Sequence, residues 1–226
     1  MLDGIRIALP QACVLCAASC RRDLLCTSCA SALPALGPAC PRCALPGPAA
    51  TPCGACARRP PPFAHACAAW RYAFPVDRLL QGLKYAGHLA LAEPLADGLA
   101  RTVRAQGDAL PDRVVPVPLS PARQRERGFN QAALIAARVA QQLGVPLARA
   151  LARGRDDGPQ AALPLARRAA NVRGAFVATA PLDGLRIAVI DDVMTTGATL
   201  AAAARAIRDA GAREVQVWVV ARTPRL

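Results

Sequence analysis

Four Cys-x-x-Cys pairs at near-constant intervals restrict the first quarter of this chain more tightly than any other feature restricts the rest. Cys13/Cys16, Cys26/Cys29, Cys40/Cys43 and Cys53/Cys56 are separated by nine, ten and nine residues. Each pair sets two thiolates on one tight turn, and two such knuckles close a tetrahedral four-thiolate site whose metal-binding energy replaces core burial in a short segment. Four knuckles therefore predict two structural Zn2+ sites. Spacing leaves their order open: sequential pairing and interleaved pairing both fit. Disulfides are the weaker reading, because the opening MLDGIRIALPQAC has an early acid and no sustained apolar run, so it does not read as a secretory leader and a cytoplasmic location is expected. A thioredoxin-type redox motif needs a βαβ setting that this proline-rich stretch lacks. Cys20 and Cys67 stand outside the pairs and are expected to be small buried or semi-exposed side chains rather than ligands.

At 226 residues the chain has room for one medium domain beyond such a head. Alanine supplies much of its hydrophobic fraction of 54%, and no apolar run approaches the ~18 to 20 residues of a spanning helix, so no membrane span is expected. Basic residues outnumber acidic ones 28 to 15, and Lys84 is the only lysine. In a chain that uses arginine everywhere else, Lys84 in GLKYAG marks a place where a compact ammonium is wanted, chance retention being the competing explanation. The basic excess is concentrated: residues 120–173 hold ten arginines against Glu126, Asp156 and Asp157. A field of that sign favours phosphate or nucleic acid partners, although any single arginine in it reads as a solvated surface charge.

The text divides into three stretches: the cysteine-rich head at 10–59, a connecting strand and helices packed on the core at 60–112, and a core at 113–226. After Pro60, Pro61 and Pro62, AWRYAF reads as a strand and VDRLLQGLKYAG and LALAEPLADGLARTVRA as helices. His65 and His88, in a loop and at a helix start, have no partner in sequence and receive no role. From Arg113 onward, β-branched runs (RVVPVP, RIAVIDD, EVQVWVVAR) alternate with alanine-rich helical ones (FNQAALIAARVAQQLG, TLAAAARAIRDAG). That order predicts an α/β fold with an open, mostly parallel sheet and ligands at the carboxyl ends of its strands.

RIAVIDDVMTTGATL carries the most chemistry. It joins an apolar strand at 187–190 to a helix starting near Thr199 through two acids and a loop of small hydroxylated residues. Such a loop lets backbone N–H groups converge on an anion at the positive end of the next helix, with Thr195, Thr196 and Thr199 adding hydroxyl donors. Asp191 and Asp192 can accept hydrogen bonds from vicinal hydroxyls such as those of a ribose. A plain turn with a capping acid would explain one aspartate and Gly197 but not the ordered whole.

IAVIDDVMTTGATL resembles the ribose-phosphate signature of type I phosphoribosyltransferases. Together with VVPVPLSPARQRERGFNQAALIA, LARGRDDGPQAALPLARRAANVRGAF, GLKYAG and the cysteine-rich head, it resembles the ComF family of competence-associated phosphoribosyltransferase-like proteins over about residues 10–223. The resemblance implies a double zinc ribbon on a phosphoribosyltransferase-type core. It implies that Asp191 and Asp192 hold the ribose hydroxyls of phosphoribosyl pyrophosphate, and that Val193, Met194, Thr195, Thr196, Gly197, Ala198 and Thr199 frame the site and its 5-phosphate. It further implies that pyrophosphate, with Mg2+, is received by the loop after the strand at 114–118, where Arg123, Arg125 and Arg127 sit, and that 153–173 is the mobile lid. Asp157 and Pro164 depart from the family's pattern in that lid. A reaction would displace pyrophosphate from the anomeric carbon, but no residue identifies the acceptor or a catalytic group. The alternative is a DNA-uptake factor that binds single-stranded DNA through the ribbons and arginines, against which stands an aromatic content of 4% with Phe129 alone in the basic segment. A further reading makes the head a docking module for a competence helicase or channel protein.

Overall fold

The structure, a computed structural model, describes residues 11–20, 23–48, 51–154 and 175–224. The head begins with a two-residue hairpin, β1 (Gln11–Ala12) and β2 (Ser19–Cys20), followed by two one-turn helices, α1 (Thr27–Ser31) and α2 (Gly54–Arg58). Then come β3 (His65–Arg71), α3 (Val76–Tyr85), α4 (Ala92–Gln106), β4 (Arg113–Pro116), α5 (Pro121–Arg127) and α6 (Gln131–Leu143). A short antiparallel pair, β5 (Leu151–Arg153) with β6 (Phe176–Ala178), precedes β7 (Arg186–Met194), α7 (Ala198–Asp209) and β8 (Glu214–Arg222).

The main sheet has the order β3-β8-β7-β4, and every pair in it is parallel. Its two central strands are nearly all apolar because helices cover both faces, the usual consequence of parallel crossovers. On one face Leu80, Leu83, Leu95, Leu99, Ile135 and Val139 of α3, α4 and α6 pack on Ala188, Ile190 and Trp218. On the other, Leu200, Ala203 and Ile207 of α7 pack on Ile187, Val189, Val217 and Val219. Residues 60–112, expected as a connecting stretch packed on the core, supply the edge strand β3 of this same sheet. Gly98 of α4 lies against Trp70 of β3 so closely that a Cβ there would stand 2.0 Å from the indole.

The head straddles that edge. Cys13, Cys20, Leu25 and Leu33 join the core on the α4 face, whereas Ala44 and Phe63 join the core on the α7 face. Between them the segment at Pro34 and Ala35 covers the outer edge of β3: the Arg71 N–H donates to the Pro34 carbonyl at 2.9 Å, and Ala35 bridges to Trp70. Among the described residues no helix is long and apolar enough to cross a membrane.

Several local readings change in the fold. The aspartate pair lies inside β7, which runs on to Met194, because β8 continues to pair with it through Arg222. The region of Arg123, Arg125 and Arg127 is the helix α5, with Pro121 at its first position, Ser120 accepting the Arg123 N–H at 3.3 Å and Gly128 closing it in the left-handed conformation. His65 starts β3 and sits 3.5 Å from Asp108. Cys20 and Cys67 are buried as expected, and burial pushes the Cys67 thiol up to about 12.

Candidate metal centres and ribose-phosphate site

The four knuckles close in sequential order. The Sγ atoms of Cys13, Cys16, Cys26 and Cys29 lie within 4.8 Å of one another, and so do those of Cys40, Cys43, Cys53 and Cys56. A Zn–S bond of about 2.3 Å implies a tetrahedral edge of about 3.8 Å. Cys16 and Cys26 are 3.7 Å apart and Cys43 and Cys53 are 3.8 Å apart, so both donor sets have the dimensions of a zinc tetrahedron.

The two sites are built alike. In each, the residue after the first knuckle turns into the left-handed region, Ala17 at φ 60 and Ala44 at φ 52, and its N–H returns to the carbonyl of Cys13 or Cys40. The second knuckle opens a short helix, with Cys26 and Cys53 at the N-caps of α1 and α2. Backbone N–H groups also reach the sulfurs, Cys29 donating to Cys26 Sγ at 3.4 Å and Cys53 to Cys40 Sγ at 3.2 Å. Burial would raise the Cys13 thiol, yet N–H groups of Cys26, Leu15 and Cys16 bring it down to about 6. Cys40 is likewise raised by burial but brought to about 6 by N–H groups of Cys53, Cys43 and Arg42. The opposite holds at the fourth ligand: hydrogen bonding to Cys16 and Cys26 holds the Cys29 thiol far up, and burial followed by hydrogen bonding to Cys43 and Cys53 does so at Cys56. Each set thus joins a thiol lowered by N–H donors to one held high, and a cation such as zinc would offset the charge of the thiolates.

The second assembly stands at the carboxyl ends of β7 and β4. Asp192, 4% exposed, forms an ion pair with Lys84 at the end of α3 and accepts from Gln131 Nε2 at 3.4 Å at the start of α6. Gln131 is itself held, its Oε1 taking Arg127 Nη1 at 2.6 Å, and the Arg127 guanidinium lies over the Tyr85 ring at 5.3 Å. Asn130 locks the start of α6, accepting the N–H of Ala132 and Ala133 while its Nδ2 donates to the Val117 carbonyl after β4. Asp191 is half-buried and accepts the Asp192 N–H at 2.9 Å. Burial, then the negative charge of Asp192, push the Asp191 carboxyl well above the usual carboxylate range, with Lys84 offsetting part of that. Two carboxylates therefore share one ammonium.

Beyond Met194 the chain turns sharply. Gly197, at φ 81, starts α7, and Thr195, Thr196, Ala198 and Thr199 are exposed there. Among the described residues no acceptor takes the N–H of Thr195, Thr196 or Gly197. The turn is held from beneath by Arg222, 4% exposed, whose Nη1 donates to the carbonyls of Met194 at 2.8 Å, Thr195, and Thr223 at 2.9 Å. An anion above the turn would meet open amides and the positive end of a helix of 12 residues.

The fold thus brings together Asp191, Asp192, Lys84, Gln131 and Arg127, with the 195–199 turn following on the same strand. Arg123 and Arg125 stand exposed on α5. Of the stretch expected as the lid, Arg153 ends β5 with its guanidinium over the Phe176 ring at 5.3 Å, and 155–173, with Asp157, Pro164, Arg155, Arg167, Arg168 and Arg173, lies outside the described residues. Gln131, Tyr85 and Arg222 were not singled out by sequence. Arg222 had left a signal, as a charged residue closing the apolar run VWVVA.

Residues 130–225 match the phosphoribosyl transferase domain family and residues 4–57 the double zinc ribbon domain family. The chain is 37% identical over 157 residues to the DNA utilization protein YhgH of Salmonella typhi, covering 67% of this chain and 69% of that protein. It is 34% identical over 162 residues to Competence protein F of Haemophilus influenzae, with coverages of 67% and 69%. Among solved structures, glutamine phosphoribosylpyrophosphate amidotransferase from B. subtilis is similar at 24% identity and a TM-score of 0.41, over 57% of this chain and 26% of that one. With a zinc-ribbon head, a phosphoribosyltransferase-type sheet and relatives of this extent, the chain belongs to the ComF family.

Proposed function

We infer that this protein binds phosphoribosyl pyrophosphate with magnesium at the end of β7, as a phosphoribosyltransferase-like component of DNA uptake or use. The observation that carries the reading is the junction of an acid pair and a turn of open amides on one strand. Asp191 and Asp192 suit the ribose hydroxyls, and Thr195 to Thr199 the 5-phosphate. Magnesium would offset the pyrophosphate charge, with Arg127 nearby and Arg123 and Arg125 further along α5. Asp192, fixed by Lys84 and Gln131, orients the sugar, while Asp191 gives up its proton to accept from a hydroxyl or face the cation. In a transfer reaction these groups would act by positioning and by stabilising charge as pyrophosphate leaves.

Calorimetry with phosphoribosyl pyrophosphate and magnesium tests this. The wild type should bind, and Asp191→Ala with Asp192→Ala should lose binding; retention in the double variant overturns the reading. One observation favours a second reading, single-stranded DNA binding. Tyr85 is 75% exposed beside Arg127, which offers the stacking surface that the basic segment lacks in sequence. Binding of an oligonucleotide that falls with salt and with Tyr85→Ala, yet survives the aspartate double variant, would support it.

A further inference from the structure

Arg222 is the one side chain described above that touches both the 195–199 turn and a metal centre. Its Nη1 takes the carbonyls of Met194 and Thr195, while its Nε donates to the Cys43 carbonyl at 3.0 Å. Cys43 is a ligand of the second four-cysteine set. Around this contact lies a cleft of about 210 Å3 whose walls include Cys43, Cys56, Arg59, Met194, Gly197 and Arg222. The second ribbon therefore borders the anion turn directly, whereas the first ribbon packs on the α4 face.

The direction of the peptide planes gives this contact a chemical meaning. In a trans peptide the C=O and N–H point opposite ways. Carbonyls of Met194 and Thr195 turned down onto the guanidinium leave the N–H groups of Thr195 and Thr196 turned away from it, and these are two of the three amides without an acceptor. The Met194 carbonyl also accepts the Thr223 N–H at 3.1 Å, but the Thr195 plane, left to itself, could rotate and present its carbonyl to the incoming phosphate. A buried guanidinium holding both oxygens prevents that, and it must be held in turn; the Cys43 carbonyl provides this from the knuckle.

We propose that Arg222 is a positioning residue that ties the second zinc ribbon to the ribose-phosphate turn, so that metal at Cys40, Cys43, Cys53 and Cys56 preorganises the amides that receive the phosphate. The assignment rests on the phosphoribosyl pyrophosphate reading for its ligand, but the mechanical link stands on the hydrogen bonds alone. Metal loss at the second site releases the knuckle, the Cys43 carbonyl leaves Arg222, and the Thr195 plane loosens, while the Met194 carbonyl keeps the Thr223 N–H.

The test uses the full-length zinc-loaded protein and two readouts. Amide hydrogen exchange at Thr195, Thr196, Gly197 and Ala198 is followed without ligand, and phosphoribosyl pyrophosphate affinity is measured by calorimetry with magnesium. Arg222→Lys keeps the charge but cannot span the four carbonyls of Cys43, Met194, Thr195 and Thr223. It should speed exchange at these amides and weaken binding about tenfold or more, with both zinc ions retained. Cys43→Ser should do the same while losing one zinc, and by a larger factor than Cys16→Ser, which loses one zinc from the first site. Wild-type exchange and affinity in Arg222→Lys, or equal effects of Cys43→Ser and Cys16→Ser, overturn the proposal. If Arg222→Lys fails to fold, the comparison of the two cysteine variants decides. Should the wild type not bind phosphoribosyl pyrophosphate while exchange still responds, the ligand reading fails and the link stands.

Discussion

Lys84 illustrates how one residue can be conspicuous in sequence and explicable only in three dimensions. Its ammonium meets a carboxylate with 6% side-chain exposure, so removing it strands a buried charge. Lys84→Met should cost about 3 kcal/mol or more in urea unfolding, and adding Asp192→Asn should recover part of that loss, because the stranded charge is then gone. Asp191 yields a pH prediction. Its carboxyl titrates well above the ordinary value in the folded protein, so the stability it contributes is present at low pH and is lost as pH rises through the folded value. A magnesium-bearing ligand that ionises it must displace the proton. Binding of magnesium phosphoribosyl pyrophosphate should therefore weaken as pH falls through that range, and calorimetry in buffers of different ionisation enthalpy should show proton release. The acid pair and the threonines were legible because their chemistry is local. Gln131 and Arg222 were not, because each acquires its partners from a different strand or helix.

Among the elements, the metal knuckles show what spacing specifies and what it leaves open. Cys-x-x-Cys repeats named all eight ligands, but their order needed the fold, in which the first pair joins the second and the third joins the fourth. The knuckles also carry strain that sequence does not advertise. Ala17 and Ala44 occupy a backbone region that costs a residue with a Cβ about 1 kcal/mol or more. Ala17→Gly and Ala44→Gly should each raise resistance to chelator, seen as a higher EDTA concentration at half-release of zinc. The strands and helices of the core were readable from their periods, since β7 and β8 each carry an apolar run, IAVI and VWVVA, and α7 follows a turn that glycine opens. The extension of β7 through the aspartates escaped that reading, because a charged residue inside a central strand is tolerated only with a partner such as Lys84 close by.

Taken as a molecule, the chain wraps its cysteine-rich head around the edge of its own sheet, one ribbon on each face. Sequence indicated a head and a core but not this clasp, which depends on the contact of Pro34 and Ala35 with β3 and on apolar residues too few to form a pattern. Chelation of both metals should unfold the head, measured as loss of zinc together with faster exchange at Arg71 and Ala69, while β7 and β8 stay protected. The clasp has a further consequence for solubility. Strand β3 ends the sheet, and Pro34 and Ala35 occupy the backbone groups at its carboxyl end, at Trp70 and Arg71, where a neighbouring molecule could otherwise begin to add a strand. Starved of zinc, such a protein exposes a sticky border, and the ions that shape its head thereby also keep its copies apart.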